Sequence, residues 1–214
     1  MSKAVFIGVD LQEDWVNPKG ALPVPGAGPT LSAAQRLVRH ALDRGLPLLL
    51  TQDSHEDDAP AFESFPAHCV DGTMGHALSA SLGLGQTQRV PAAFAPELSF
   101  SSDRPAVIPV SDHRRGLFSN LNADRLLDAA FSGETSPREG GRARPSGEVV
   151  LFGLPLEIGV RAAATGLLAR GYTCVLVSDA VAGLDPDRSA SILASLAASG
   201  CHFLTAEKVA QRYA

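Results

Sequence analysis

Lysine is scarce in this chain of 214 residues, where Lys3, Lys19 and Lys208 are the only lysines among 18 basic residues. The long stretch between Lys19 and Lys208 therefore offers no ammonium group for chemistry. The 18 basic residues face 23 acidic ones, which gives a formal net charge of −5. A mildly acidic balance provides no electrostatic reason to bind nucleic acid or an anionic membrane surface.

Cysteine and long apolar runs are scarce as well. Cys69, Cys174 and Cys201 are odd in number and widely spaced, which argues against a disulfide framework and favours a reducing, cytoplasmic compartment. No apolar stretch approaches the roughly 18–20 residues of a membrane span, and the apolar run at the N-terminus is too short for a signal peptide. The chain also has no internal repeat and no phosphate-binding glycine loop, so we expect no nucleotide cofactor.

Short apolar runs alternate with amphipathic segments along the chain. Strands apolar through most of their length are typical of a parallel sheet buried on both faces. The intervening segments place Ala and Leu on one helical face and end in glycine. The predicted strands are 4–10, 46–53, 148–154 and 173–180, and the predicted helices are 30–45, 158–171 and 187–200. This alternation predicts an α/β sandwich, with helices on both faces of a parallel sheet.

Two polar segments interrupt this alternation. Residues 11–29 are rich in Pro and Gly and follow the first strand, where α/β folds place their ligands. Residues 132–147 are polar, with several Gly and Arg and no candidate core residue. We interpret the second segment as a solvated insertion loop.

Three of the predicted strands end in aspartate, at Asp10, Asp53 and Asp179. A carboxylate at the carboxyl end of a parallel strand lies at the edge where active sites form. The alternative for each is a cap on the following helix or turn.

Asp53 and His55 form a D-x-H pair, and His68 follows in the same loop. In an extended chain, side chains two positions apart point the same way, so Asp53 and His55 can chelate one ion. A third ligand arriving on the loop would complete a facial set for zinc or iron and leave positions open for water or substrate. The alternative is that the histidines are ordinary solvated side chains.

Several motifs occur together in a recognisable order. They are VDLQEDWVNPKGALPVPGA (9–27), TQDSHEDD (51–58), FPAHCVDGTMG (65–75), GLPLEIGVRAAATGLLARGYTCVLVSDAVAGLDP (153–186) and SGCHFLTAEKV (199–209). In this order they resemble the nicotinamidase branch of the isochorismatase-like cysteine hydrolases. The resemblance runs from about residue 4 to 210 and is interrupted mainly by the 132–147 insertion.

The resemblance implies a three-layer α/β/α sandwich with a mostly parallel, Rossmann-like central sheet, forming one domain over residues 1–214. It also implies hydrolysis of amides and related C–N or vinyl-ether bonds. Amidases of the family use an Asp, Lys, Cys triad in which the Asp is the base and the Lys favours the thiolate. Asp10 matches the aspartate. The cysteine position falls at Gly159, and the lysine position falls near Val110 to Asp112, so neither group is present.

A further departure lies at Pro155. The family forms its oxyanion hole from two backbone N–H groups, one of them at this position just after a cis peptide bond. Proline has no N–H to donate, and the loss of one oxyanion donor typically costs a factor of about 10²–10³ in rate. Because a cis bond before proline costs only about 0.5–1 kcal/mol, we predict that the Leu154–Pro155 peptide is cis. The alternative is an ordinary trans proline at the end of a strand.

The metal segment matches the family better, since Asp53, His55 and His68 occupy the positions of its usual ligands. The resemblance therefore implies a divalent metal: zinc, iron or manganese. Gln12 and Trp15 fall in the family's substrate region, where the Trp15 ring is suited to stack on a flat ligand. Trp15 has the alternative role of covering the core.

Three functions remain open at this point. The leading one is a small-molecule-binding pseudoenzyme that cannot use the cysteine mechanism but keeps the metal, with a nicotinamide-like aromatic amide as its ligand. The second is a metal-dependent hydrolase in which a metal-activated water attacks and Asp10 is the base. The third is an interaction subunit. Related folds commonly form homo-oligomers, so we expect a dimer or tetramer.

Overall fold

A computed structural model describes residues 4–101, 103–112, 114–131, 135–137, 143–145 and 147–214. Most of the predicted 132–147 insertion, and His113 beside the expected lysine position, lie outside the described residues. Within the insertion, the structure describes only Gly147 and two short strands that pair with each other in antiparallel register.

Seven strands in the described residues form one parallel sheet in the order β3-β4-β2-β1-β7-β8-β9. The strands are β1 (Ala4–Val9), β2 (Leu48–Asp53), β3 (Gln88–Arg89), β4 (Ala106–Val110), β5 (Thr135–Pro137), β6 (Ala143–Pro145), β7 (Glu148–Gly153), β8 (Thr173–Val181) and β9 (His202–Leu204). All four predicted strands are present and lie next to one another as β2, β1, β7 and β8.

The helices of the described residues are α1 (Glu13–Val16), α2 (Ala27–Asp43), α3 (Ala123–Ala130), α4 (Arg161–Ala169), α5 (Pro186–Ala198) and α6 (Ala206–Arg212). A π-helical turn, Leu156–Val160, leads directly into α4. Each predicted helix corresponds to one of these elements, with boundaries that differ by a few residues. None of the described helices is both long and apolar enough to cross a membrane.

The alternation of side chains along β1 divides the core into two layers. Val5, Ile7 and Val9 face the layer that contains α3, α4 and the inner face of α5. Ala4 and Phe6 face the layer that contains α2 and α6. Both faces of the sheet are covered, as the apolar strands predict, and the α/β/α sandwich is confirmed.

A buried carboxylate joins the π-helical turn to the start of α5. The Glu157 side chain accepts hydrogen bonds from the backbone N–H groups of Leu184 and Asp185 at 2.9 and 3.0 Å, and from the Ser189 hydroxyl at 2.9 Å. Burial alone would raise the pKa of Glu157, but these donors together outweigh it and lower the pKa. The charged carboxylate therefore holds the turn in place.

Candidate functional site

The order of the strands places the site at the carboxyl ends of β1, β2 and β7. From β1 the chain moves to β2 and β4 on one side of the sheet, and it returns to β7 on the other side. Such a reversal opens a crevice beyond the ends of the two central strands. Asp10 directly follows β1, Asp53 ends β2, and Leu154 follows β7.

Asp10 is buried and held in an uncommon backbone conformation, with a φ of +47°. The Thr51 hydroxyl accepts a hydrogen bond from the Asp10 N–H at 3.1 Å and donates one to Asp10 Oδ1 at 2.5 Å. Burial, followed by the nearby charge of Asp53, raises the pKa of Asp10 to about 8. The structure thus places a carboxylate with an elevated pKa at the position predicted for the retained triad aspartate.

Gly159 lies directly against this carboxylate. A Cβ atom at Gly159 would overlap Asp10 Oδ2 and would approach Val9 Cγ1 to 2.8 Å. Contacts that close do not occur between real side chains, so the Asp10 carboxylate fills the space that a side chain at Gly159 needs. The sequence predicts that Gly159 marks the nucleophile position, and in the structure no nucleophile fits there without movement of Asp10.

The prediction of a cis Leu154–Pro155 peptide is wrong, because this peptide is trans. The bend after β7 is made one residue earlier by Gly153, whose φ is +129°. A Cβ on Gly153 would overlap the Val9 carbonyl oxygen, so glycine is required for this close approach. Pro155 itself is extended, with φ −76° and ψ 149°, and precedes the π-helical turn. The bend therefore needs no cis bond.

Asp53, His55 and His68 come together as a buried cluster. The Nε2 atoms of His55 and His68 lie 3.1 and 3.7 Å from Asp53 Oδ2. Two atoms bound to one zinc ion at about 2.0–2.2 Å cannot lie more than about 4.4 Å apart, and both separations meet this limit. One carboxylate and two imidazoles also form a donor set that suits zinc or iron.

The tautomer of His68 fits a metal ligand. Its Nδ1 lies 2.7 Å from the Pro66 carbonyl oxygen, which can only accept, so Nδ1 carries a proton and Nε2 is the nitrogen that faces Asp53. An outer hydrogen bond of this kind is the usual way in which proteins orient a ligating histidine. Trp15 packs edge-on against His68, with ring centroids 4.9 Å apart, and is 1% exposed. In this structure Trp15 therefore covers the His68 ring, and its contact with a ligand stays a prediction.

Gln12 holds the backbone of Asp53 in place. Its side-chain Nε2 donates to the Asp53 carbonyl at 2.8 Å, and its Oε1 accepts from the Asp53 N–H at 2.8 Å. The same Nε2 donates to the His76 carbonyl at 2.8 Å, and the side chain is fully buried. The structure gives Gln12 a positioning role for a candidate metal ligand, and its predicted contact with substrate stays a prediction.

We expect Gln12→Leu to destabilise the protein by about 3 kcal/mol, because it removes three buried hydrogen bonds worth about 1 kcal/mol each while keeping the side-chain volume. Urea unfolding measures this loss of free energy. Gln211→Leu, at an exposed position on α6, is the control and should change stability little. Equal losses in the two variants would contradict the positioning role.

Asp179, predicted to end a strand, lies within β8 and acts as a cap. Its Oδ1 accepts a hydrogen bond from the Ala206 N–H at the start of α6, at 2.7 Å. At the expected lysine position, β4 ends at Val110, and the nearby Arg114 and Arg115 are exposed. Of the three aspartates predicted at strand ends, therefore, Asp10 and Asp53 lie in the site and Asp179 does not.

A cavity of about 440 Å³ lies beside the candidate metal site and is lined in part by Ser54, His55 and Asp71. Ser54 Oγ lies 2.8 Å from His76 Nε2. Sequence reasoning did not single out Ser54, Asp71 or His76. The sequence offers one signal for Ser54. In the extended segment from Asp53 to His55, the side chain between the two candidate ligands must point to the side opposite theirs.

Comparison with known proteins agrees with this geometry. Residues 129–208 match the family model of the isochorismatase domain. None of the curated protein sequences is significantly similar to the chain.

Solved structures resemble the chain over nearly its whole length. The pyrazinamidase of Pyrococcus horikoshii in complex with zinc has a TM-score of 0.72 and 23% sequence identity, covering 95% of this chain and 99% of that one. The nicotinamidase/pyrazinamidase of Bacillus subtilis has a TM-score of 0.71 and 19% identity, covering 94% and 98%. PnC1 from L. infantum in complex with nicotinate has a TM-score of 0.67 and 21% identity, covering 96% and 94%. These structures confirm the predicted fold, and the match over residues 129–208 relates this part of the chain to the isochorismatase domain.

Proposed function

We propose that this protein binds a divalent metal and a small molecule on an isochorismatase-like fold, and that it is a pseudoenzyme with respect to cysteine amidase chemistry. The observation that carries the proposal is the packing of Asp10 against Gly159, where the carboxylate occupies the space of a side-chain Cβ atom. A cysteine has no room there. The absence of lysine between Lys19 and Lys208 removes the group that would favour a thiolate.

The metal would be held by Asp53, His55 and His68, with Gln12 fixing the backbone of Asp53 and the Pro66 carbonyl orienting His68. When bound, it would supply a Lewis acid able to polarise a carbonyl oxygen or an amide. A structural neighbour that carries zinc supports a divalent metal, and zinc, iron and manganese are the proposed identities. The aromatic rings of Phe62, Phe65 and Trp15 surround the imidazoles and keep them apart from bulk water.

The ligand we propose is a small aromatic amide or acid of the nicotinamide type. A structural neighbour bound to nicotinate supports this class. The cavity of about 440 Å³ that reaches His55 is within the size range of small-ligand sites. The ligand would enter there and approach the metal cluster at His55.

A metal-dependent hydrolase is the second candidate, and the buried Asp10 carboxylate beside the metal cluster favours it. Asp10 would act as the base, without a covalent intermediate on the protein. Any amide hydrolysis found should then disappear on chelation and in Asp10→Asn. Amide hydrolysis that survives chelation would exclude this candidate.

The proposal also includes three properties of the whole protein: a single domain over residues 1–214, a homo-oligomeric state and a cytoplasmic location. The isochorismatase-like fold supports the first two. The three buried, free cysteines support a reducing compartment.

Metal content tests the proposal directly. We expect about one equivalent of zinc, iron or manganese per chain in protein purified without a histidine tag or chelator, and almost none in Asp53→Ala, because removal of the carboxylate leaves two ligands. Elemental analysis measures both. Asp58→Ala, at an exposed position in the same loop, is the matched control and should retain its metal. Metal-free wild-type protein, even after metal is added back, would contradict the metal site.

A further inference from the structure

Three side chains next to the metal cluster are arranged as a hydroxyl, an imidazole and a carboxylate in series. Ser54 Oγ lies 2.8 Å from His76 Nε2. On the other side of the ring, His76 Nδ1 lies 3.3 Å from Asp71 Oδ1. A serine hydroxyl, a histidine base and a carboxylate that orients the base are the parts of a nucleophilic acyl-transfer site. None of the three residues is a candidate metal ligand.

Backbone hydrogen bonds fix the three residues relative to one another. The His76 carbonyl accepts from the side-chain amides of Gln12 and Gln52 at 2.8 and 2.9 Å, and the imidazole is nearly buried. The Ser54 N–H donates to the Val110 carbonyl at 2.8 Å, which anchors it at the end of β4. The Asp71 N–H donates to the His55 carbonyl at 2.9 Å. Hydrogen bonds to the sheet and to the residues beside it therefore hold the three residues in place.

The contacts of His76 favour one tautomer. Asp71 Oδ1 lies 3.3 Å from Nδ1 without the alignment of a hydrogen bond, and because a carboxylate can only accept, its proximity favours a proton on Nδ1 and leaves the Nε2 lone pair for Ser54. The Ser54 hydroxyl has a second acceptor nearby, the Gln52 carbonyl, but this lies at 3.2 Å and the imidazole at 2.8 Å. In this pattern His76 is ready to take the Ser54 proton.

Ser54 opens onto a cavity of about 440 Å³, which Asp71 and Arg89 also line. Part of the wall is apolar, formed by Val90, Pro91, Ala92, Pro109 and Val110. The Arg89 guanidinium is exposed and, within the described residues, has no carboxylate at ion-pair distance. A cation in the cavity of the nucleophile is suited to stabilise the negative oxygen that forms when a carbonyl is attacked.

We propose that Ser54, His76 and Asp71 form an acyl-transfer site that hydrolyses small carboxylic esters, with Ser54 as nucleophile, His76 as general base and Asp71 as positioning residue. Arg89 stabilises the oxyanion. We assign esters as the substrate class because an alkoxide or phenolate can leave the tetrahedral intermediate with less need of a proton donor than an amine has. The site also supplies one cation, Arg89, for the oxyanion.

The chemistry balances without any further reactant. Ser54 Oγ attacks the ester carbonyl as its proton passes to His76 Nε2, and the leaving alcohol takes that proton as the C–O bond breaks. Water then attacks the acyl–Ser54 ester, again with His76 as base, and releases the carboxylic acid and free Ser54. The sum is one ester and one water giving one acid and one alcohol.

This activity goes beyond the proposed function and does not use the metal ligands. Ser54 stands between Asp53 and His55 in the sequence, and in an extended chain its side chain points to the opposite side. Ser54 and His55 nevertheless line the same cavity, so the reaction is measured in chelated protein, where we expect Ser54 to react. Reaction there supports this proposal whether or not the metal site is confirmed.

A fluorophosphonate probe tests the proposal on the wild-type protein. We expect covalent labelling of close to one site per chain, located by mass spectrometry on the peptide that contains Ser54, together with hydrolysis of p-nitrophenyl acetate. Ser54→Ala should abolish the label, and His76→Gln should slow it by at least about 100-fold, the range typical of a general base. Ser64→Ala, at an exposed position in the loop after His55, should label as the wild type does.

Asp71 offers a variant that is safe for folding, because its side chain is 62% exposed. Asp71→Asn should lower kcat for p-nitrophenyl acetate with little change in KM and an unchanged melting temperature, and Asp71→Glu should restore part of the rate. Labelling at a residue other than Ser54, or absence of labelling in folded wild-type protein, would overturn the proposal. So would an Asp71→Asn rate equal to that of the wild type.

Discussion

The wild-type protein is expected to release no ammonia from nicotinamide or pyrazinamide above the uncatalysed rate. Enzymes accelerate such reactions by at least about 10⁶-fold, so the difference from an intact nicotinamidase is large and easy to measure. Three groups that the cysteine mechanism needs are missing: the thiol at Gly159, a lysine near Val110 to Asp112, and the N–H at Pro155. A coupled ammonia assay, with an intact nicotinamidase as positive control, measures this. Turnover at about one per second or faster would contradict the proposed function.

Restoring the thiol alone is expected to fail. Gly159→Cys must push the Asp10 carboxylate or the Val9 side chain aside, because a Cβ at Gly159 would overlap the first and lie 2.8 Å from the second. We expect a loss of stability of about 1–3 kcal/mol, typical of an overpacked site, and still no ammonia. Gly28→Cys, near the start of α2 with no atom within 4 Å of its Cβ position, is the matched control and should be as stable as the wild type. Nicotinamidase activity in Gly159→Cys would show that the remaining residues suffice.

The fold could be predicted because its signals are local and repeated. Buried parallel strands are apolar through their length, as in β1 and β7, and amphipathic segments that end in glycine alternate with them. Burial on both faces then leaves few arrangements other than an α/β/α sandwich. The very short strands β3 and β9 have weaker patterns, because two or three residues are too few to establish a period.

The predicted metal residues come together because they lie on one short segment. Asp53 and His55 are two positions apart in extended chain, so spacing alone aligns them, and His68 returns on the loop that follows. The packing of Asp10 against Gly159 joins residues that are far apart in the sequence. Such a contact depends on how β1 and the π-helical turn approach each other, which no spacing rule specifies.

The failed cis prediction has a simple physical reason. The resemblance implies a cis peptide bond just before position 155, and proline lowers the free-energy cost of such a bond. The chain makes the bend instead at Gly153, where a φ of +129° is open to glycine alone. The Ser54–His76 contact was missed for a different reason, since a loop of irregular backbone joins the two residues and its path has no periodicity to follow.

Metal binding is expected to raise the melting temperature of the wild-type protein by about 8–16 °C. A ligand at about 1,000 times its Kd stabilises the native state by about 4 kcal/mol, and each kcal/mol is worth about 2–4 °C in a chain of this size. Burial of Asp53, His55 and His68 in the described structure makes the native state the form that binds. Thermal unfolding of chelated protein, with and without added zinc or manganese, measures the shift.

The metal-dependent rise in melting temperature should depend on His68, the third candidate ligand, and not on the number of histidines in the chain. His68→Asn removes the Nε2 atom that lies 3.7 Å from Asp53 Oδ2, and two remaining ligands bind zinc or manganese far more weakly, so added metal should leave the melting temperature of this variant nearly unchanged. His202→Asn, at an exposed position on β9, should respond as the wild type does. A metal-dependent shift in His68→Asn as large as that of the wild type would place the metal elsewhere. No shift in the wild type would contradict metal binding by the buried cluster.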